Sequence, residues 1–449
     1  MEVAADVRVL ILCLNYAPEL IGVGKYTAEF ASWLNERGHE VRVVAAPPYY
    51  PEWRLRPGHA RWRWRRETVG GIEVLRCPLW VPAAPTACKR ILHLLSFALS
   101  SLLPTLWQAL SWRPQVVWTV EPTAFAAPGA LLAARLVGAR ACLHVQDLEI
   151  EAAGALRMIA TARLYRAARL AYGWLLRRFD LVSTIGEQMR RELRTHGIAE
   201  ERLCLFPNWV DTEAIQPLAA PSRLRDELGI GAAQVVVLYA GNLGRKQGIG
   251  TLGGLAERLA AHPEIRLVMC GAGALRARLE RRVAGRRNVT LLPLQPCGRF
   301  NELLNLADIH ILPQRAQAGS FALPSKLGGM LASGRPVVVQ ASGGELARAA
   351  RVGGIAVPPD DPAAMVGAIL QLAADPERRR RLGLAGRQFA LANLARELVL
   401  TRYESRLAGL CRAASRRWRP RLRDVAAGGL AEAPAVTCPA PPLAPSPRR

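Results

Sequence analysis

The run VRVLILCLNYAPELIGVGKYTAEFASWLNERGHEVRVVA, residues 7 to 45, decides the fold class. Val7 to Tyr16 is almost continuously apolar, the composition of a strand buried on both faces. Gly22 and Gly24 lie in the loop after it, a helix is predicted from about Lys25 to Arg37, and Gly38 closes that helix. Val41 to Ala45 then supplies a second strand. Strand, glycine loop, helix and strand make a Rossmann-like unit. The loop lacks a full G-x-G-x-x-G, so its glycines suit a tight turn as well as a phosphate approach.

The same grammar continues outward. Val116 to Val120 and Ala141 to Val145 read as buried strands around a small-residue helix, Pro128 to Val137. Leu181 to Thr184 follows as a strand and Glu187 to Thr195 as a helix. The segment 216–233, with Pro217 and Pro221, reads as a linker. Strands at Val235 to Ala240, Ile265 to Cys270, Val289 to Leu292, Ile309 to Leu312 and Val337 to Val339 then alternate with helices. The expectation is an α/β protein of two Rossmann-like doubly wound domains, 1–215 and 234–393, with a helix over 394–411. Residues 412–424 hold six arginines and one aspartate, and 439–449 is rich in proline. The stretch 412–449 is therefore expected to be a disordered tail.

The 449 residues carry 60 Lys+Arg against 36 Asp+Glu, a formal charge of +24. Such a field attracts phosphorylated substrates, anionic lipid or nucleic acid, without separating them. Nine cysteines are scattered singly without a C-x-x-C pair, which argues against a disulfide framework or zinc site and suits a reducing cytosol. The amino terminus, with Glu2 and Asp6 around a short apolar run, does not read as a signal peptide.

Two stretches bear on membranes. Arg61 to Arg66 reads RWRWRR, a pattern that fits base stacking, a lipid headgroup zone, or a loop whose tryptophans cover the core. Ile91 to Leu110, within a helix expected at about 89–112, contains no Lys, Arg, Asp or Glu. Leu94, Leu95, Ala98, Leu99, Leu102, Leu103 and Leu106 fall on one face, with His93, Ser96, Ser100, Ser101, Thr105 and Gln108 on the other. That amphipathic helix either covers a domain or lies in a membrane interface, and its polar face and Pro104 argue against a span.

Three stretches bear on chemistry. In LPSKLGGMLASGRPVVV, Leu323 to Val339, Pro324 suits a first helical position, and Ser325 and Lys326 fall in the first turn, where backbone N–H groups favour an anion. Gly241 to Gly248 follows a buried strand and places Asn242, Arg245 and Lys246 in a glycine loop suited to a phosphate. At the end of the strand Ala141 to Val145, His144, Gln146, Asp147 and Glu149 are acid–base or hydroxyl-binding candidates. A lone histidine in a strand is more often a satisfied core residue, and His144 carries that reading beside the catalytic one.

These stretches, with FPNWVD and GGIAVPPDDPAAM, occur in the order that identifies the chain as a member of glycosyltransferase family 4. NYAPELIGVGKYT, APPYYPEW, CPLWVP, LHVQDLE and FALPSK resemble the colanic-acid-type exopolysaccharide enzymes most. The resemblance covers about Val7 to Leu407. It implies a GT-B fold with a central cleft, the acceptor on the first domain and a nucleotide-sugar on the second, and retaining chemistry with neither metal nor other cofactor. It implies that Gly22 and Gly24 approach the donor diphosphate or the acceptor, with Lys25 on the donor, that Arg245 and Lys246 neutralise the diphosphate, and that the last helix braces the first domain. It also implies a polyprenyl-diphosphate-linked saccharide as acceptor, an anionic membrane surface as a second partner, no nucleic acid, and a cytoplasmic, peripheral location.

The sequence departs from the family pattern at three places. Gly329 stands where the family's second glutamate falls, and no glutamate lies between Asp308 and Gly344. Gln146-Asp147 replaces the usual His-Asp pair, with His144 two residues earlier. Gln247 stands where a lysine is expected, with Lys246 displaced by one. The reading is a transferase moving a hexosyl group, fucosyl among the candidates, to a lipid-linked saccharide in exopolysaccharide biosynthesis. A nucleotide-sugar 2-epimerase on the same fold, a basic nucleic-acid-binding protein and a catalytically silent scaffold are the rivals.

Overall fold

A computed structural model describes residues 7–19, 22–59, 61–84, 86–122, 124–148, 150–151, 161–244, 249–315 and 324–417. Eight strands form the first sheet. Their spatial order is β3 (Arg65–Val69), β4 (Ile72–Arg76), β2 (Glu40–Ala45), β1 (Arg8–Cys13), β5 (Val116–Val120), β6 (Arg140–Val145), β7 (Leu181–Thr184) and β8 (Leu203–Leu205). All pair in parallel except β3, which returns antiparallel on β4. The second sheet is wholly parallel, in the order β11 (Val289–Leu292), β10 (Ile265–Cys270), β9 (Val235–Ala240), β12 (Ile309–Leu312), β13 (Val337–Gln340) and β14 (Gly354–Val357).

Because β1 is apolar on both faces, each face of its sheet supports a separate core. Leu10 and Leu12 pack with α2 (Ala87–Trp112), α3 (Ala127–Val137), α4 (Ala162–Leu176) and α5 (Glu187–Thr195). Val9, Ile11 and Cys13 pack with α1 (Val23–Glu36) and the last described helix. A short helix, α6 (Leu224–Glu227), lies in the 216–233 segment, with Leu224 buried. The second sheet carries α7 (Ile249–Arg258), α8 (Arg276–Val283), α9 (Phe300–Leu306), α10 (Ser325–Ala332), α11 (Gly344–Gly353) and α12 (Pro362–Ala374). Two further helices, α13 (Pro376–Asn393) and α14 (Arg396–Arg417), end the described chain.

The two passages of chain between the halves run side by side. The Val210 N–H donates to Leu394 O at 2.8 Å, and the Arg396 N–H donates back to Val210 O at 2.9 Å. Beyond that crossing α14 returns to the first sheet, burying Val399, Leu400, Tyr403 and Leu407 in its core. Glu404 there accepts from Trp33 Nε1 at 3.0 Å and lies 3.3 Å from His39 Nε2.

Several local expectations change. Arg65 and Arg66 enter edge strand β3, and Trp62 and Trp64 are 70% and 57% exposed, so the tryptophans of RWRWRR do not cover the core. Pro324 precedes α10 as its cap, and Gly334 takes a left-handed φ of 71° two residues beyond the helix end. α14 continues to Arg417, and the rest of the arginine- and proline-rich tail lies outside the described residues.

The largest change is the orientation of α2. Its polar face is turned into the protein: His93, Ser101, Thr105 and Gln108 are buried. Its apolar ridge faces outward, with Leu99 73% and Leu103 74% exposed. Among the described residues, this helix alone is long and apolar enough to cross a membrane.

Candidate functional site

The carboxyl ends of the parallel strands in both halves, with the helix starts that follow them, form the candidate site. On the first half, Gly22 caps α1 with φ of 64°, a conformation that favours a residue without Cβ. Two residues on, a Cβ at Gly24 would lie 3.0 Å from Glu19 Oε2. Lys25 sits 3.7 Å from Glu29 on the same helix and above the Tyr26 ring, so its charge is partly met locally. On the second half, Lys326 in the first turn of α10 reaches back over the end of β9. Its Nζ donates to Tyr239 Oη at 3.3 Å and lies 5.0 Å from the ring centroid. The aliphatic stem lies so close to Gly241 that any Cβ there would collide with it.

Burial in that position lowers the Lys326 pKa to about 8. Among the described residues no carboxylate pairs with it. A half-desolvated ammonium at the positive end of a helix is an electrostatic arrangement that an anion would relieve. The neighbouring Ser325 side chain faces Tyr26 of α1, so helix starts from the two halves meet at this point. Asn242 follows Gly241; its carbonyl accepts from Tyr239 Oη at 2.6 Å. Arg245 and Lys246 lie outside the described residues, as does Glu149.

The acid–base candidates separate sharply. Asp147 is exposed after β6, and its charge reaches Tyr50. His144 is 2% exposed and does not reach the crevice. Its Nδ1 lies 3.0 Å from Ser183 Oγ, its ring stacks at 5.7 Å on Trp118, and burial pushes its pKa down to about 3. Side chains alternate along a strand, and His144 takes the face that α14 covers. His144 is a satisfied core histidine, which corrects its place among the catalytic candidates.

Sequence reasoning missed Glu19 and the segment it holds. This buried carboxylate accepts from the Tyr49 and Tyr50 N–H groups, both at 2.9 Å, and from Asn15 Nδ2 at 2.8 Å. It thereby ties the loops after β1 and β2 to the start of α1. Desolvation raises its pKa despite three donors. The signal was present: Glu19 is the one charged residue in the stretch NYAPEL. Glu345 was missed too. At the start of α11 it accepts from the Glu187 N–H at 2.7 Å, capping α5 of the other half. Among the described residues Glu151, Glu192 and His196 come within metal-ligating distance of each other. Arg169 occupies that cluster, 2.9 Å from Glu192 and 3.7 Å from Glu151, and marks it as an ion-pair network.

Gly329, at the vacated glutamate position, points toward α9. A Cβ there would lie 3.4 Å from Leu304 Cδ1 and 4.0 Å from Phe300 Cε1.

Comparison with known proteins matches residues 22–209 to the glycosyl transferase 4-like domain and residues 234–375 to glycosyl transferases group 1. The chain is 37% identical over 413 residues to WcaI of Escherichia coli (strain K12), described as a colanic acid biosynthesis glycosyl transferase. That match covers 90% of this chain and 100% of WcaI. A GDP-mannose-dependent alpha-(1-6)-phosphatidylinositol monomannoside mannosyltransferase of Mycolicibacterium smegmatis is 26% identical over 401 residues, 86% of this chain and 94% of that protein. Among solved structures, sucrose-phosphate synthase from Thermosynechococcus elongatus superposes with a TM-score of 0.70 at 18% identity, over 91% of this chain and 100% of that one. That likeness bears on the fold alone.

Proposed function

The chain belongs to the glycosyltransferases that join a glycosyl transferase 4-like domain to a group 1 domain on a GT-B fold, and from that premise we propose a donor, an acceptor and a place. It moves a hexosyl group, with fucosyl among the candidates, from a nucleoside diphosphate sugar to a lipid-linked saccharide. The product serves exopolysaccharide assembly, and the reaction retains the anomeric configuration. The enzyme works on the inner face of the cytoplasmic membrane as a peripheral protein. The name of the E. coli relative supports the polysaccharide assignment.

One observation carries the donor reading: a half-buried lysine at the start of α10 with no carboxylate partner among the described residues, where Ser325 faces Tyr26 of the other half. As the glycosidic bond breaks, the departing diphosphate gathers negative charge. Lys326, the Ser325 hydroxyl and the N–H groups of the first turn of α10 stabilise that charge without a metal, the electrostatic route that dominates many such steps. Arg245 and Lys246, which follow β9 in the sequence, add to it. Gly22 leaves backbone room on the opposite side, Gly24 lets Glu19 pack against the start of α1, and Asp147 or Glu149 orients the acceptor hydroxyl.

The test is a thermal-shift panel of UDP, GDP and their sugars, followed by transfer to a lipid-linked acceptor. The cognate nucleotide raises the melting temperature by mass action. Lys326→Ala lowers donor kcat/KM by about 10²- to 10³-fold. An unchanged rate at subsaturating donor sinks the assignment, and an epimerised sugar from donor incubated alone replaces it with an epimerase.

A further inference from the structure

We propose that the outward ridge of α2, joined to the Trp62–Trp64 turn, is a docking face for an anionic lipid bilayer, with α2 lying in the plane of the interface. The inference deepens the lipid-linked acceptor reading above and rests on it only for its purpose, since the face itself is independent of the donor.

The face is apolar where a surface helix is ordinarily polar. Ile91, Leu92, Leu99, Leu103, Trp107 and Leu110 are all exposed along one helix. That ridge extends about 30 Å at the rise of an α-helix. A contiguous apolar surface of this kind on a folded domain marks an interaction site. The opposite side of the helix is committed to the protein. His93 bonds Trp80 O at 2.7 Å and Tyr49 Oη at 3.0 Å. Gln108 Oε1 accepts from Arg42 Nη1 at 2.9 Å, and Ser100 Oγ donates to Pro78 O at 2.6 Å. Spanning the bilayer would break all of these and strip Leu94 and Phe97 from the core. Lying in the interface breaks none.

The surroundings select lipid headgroups as the occupant. The RWRWRR turn is fastened to the ridge: Trp64 Nε1 donates to Ser100 O at 3.0 Å, and the Arg66 guanidinium lies 4.8 Å from the Trp107 ring. Exposed tryptophans with an apolar body and one polar N–H suit the headgroup level. Arg61, Arg63, Arg65 and Arg66 are all exposed, and Lys89, Arg90 and Arg113 mark the two ends of the helix. An apolar stripe ringed by cations matches an anionic leaflet in both chemistry and charge. A recess lined by Pro47, His59, Trp64, Arg65 and Arg76 adjoins the turn at the carboxyl ends of β2 and β4. That sheet edge also carries Tyr49 and Tyr50, so docking would bring the crevice to the membrane surface.

The test is flotation of the full chain with vesicles of phosphatidylcholine alone and of phosphatidylcholine with 30% phosphatidylglycerol. The expected result is strong binding to the anionic vesicles and weak binding to the neutral ones. Leu99→Glu with Leu103→Glu lowers the partition coefficient about tenfold or more, and Arg63→Ser with Arg66→Ser lowers it about fivefold for each charge removed. Leu99→Ser with Leu110→Ser repeats the test with a milder change should the acidic pair fail to fold. Equal binding by the ridge variants overturns the proposal. So does a dimer in light scattering that the ridge variants dissociate, which would assign the face to a second copy of the chain. The nucleotide thermal shift is unchanged in every ridge variant, so failure of the donor reading and failure of the docking face register separately.

Discussion

Lys326 ties a single burial event to a pH dependence. Its pKa near 8 lies below the ordinary lysine value of about 10.4. Below pH 8 the ammonium is present in both folded and unfolded chains. Between about pH 8 and 10.4 the unfolded chain binds the extra proton, so this group makes the unliganded protein more stable as pH rises through that window. Nucleotide binding runs the opposite way, because a bound diphosphate favours the charged form. Affinity is therefore flat below pH 7 and falls as pH rises through 8, by up to about tenfold per unit. Calorimetric titration at pH 7 and 9 measures it, and Lys326→Met removes the dependence. His144 makes the contrasting case. His144→Phe leaves kcat unchanged and costs about 1–2 kcal/mol in chemical denaturation, because Ser183 loses a buried partner. The difference between these two residues explains what the sequence revealed. The place of Lys326 in the first turn of α10 was legible because its setting is local, a helix start read from seventeen consecutive residues. His144 was not, because the helix that covers its face lies more than two hundred residues away.

Among the elements, those with strong apolar runs were legible and those built by pairing alone were not. β7, β9, β10, β11 and β12 occupy the residues expected of them. The edge strand β3, RRETV, has almost no apolar content and exists because β4 offers it a ladder. α2 shows a different limit. Periodicity establishes that two faces differ, but which one points inward depends on what the rest of the sheet can satisfy. Here Arg42, Glu73 and Trp80 satisfy the polar one. The α5 start offers a further prediction. Its cap residue, Gly186, contributes no side-chain bond, and Glu345 supplies one from the other half. Glu345→Ala costs about 1 kcal/mol of cap energy. Hydrogen exchange speeds up at residues 187–190, and the donor KM rises as the halves part. Glu345→Gln retains an accepting oxygen and most of the protection.

The whole molecule is held by a helix that belongs to the first sheet and arrives last. Phe30 and Tyr403 meet at 5.5 Å, Phe206 stacks on Tyr403 at 3.8 Å, and Trp118 Nε1 donates to Tyr403 Oη at 2.9 Å. Tyr403→Ala should cost about 3–5 kcal/mol, and urea unfolding should show the first half losing cooperativity while the second unfolds as before. Separate doubly wound halves were legible from the repeated strand pattern, and the matches at residues 22–209 and 234–375 follow it. The interlock is less visible in sequence, since α14 has only a modest apolar stripe and the aromatic partners of Tyr403 come from three distant segments. Its consequence concerns birth order. A ribosome makes the first sheet early but delivers its covering helix only after the entire second half, roughly 10 to 40 s later at ordinary elongation rates. During that interval the groove beneath Tyr403 lies open on a nascent chain. Co-expressed holdase chaperones should therefore raise the folded yield, measured as the soluble fraction of freshly synthesised chain.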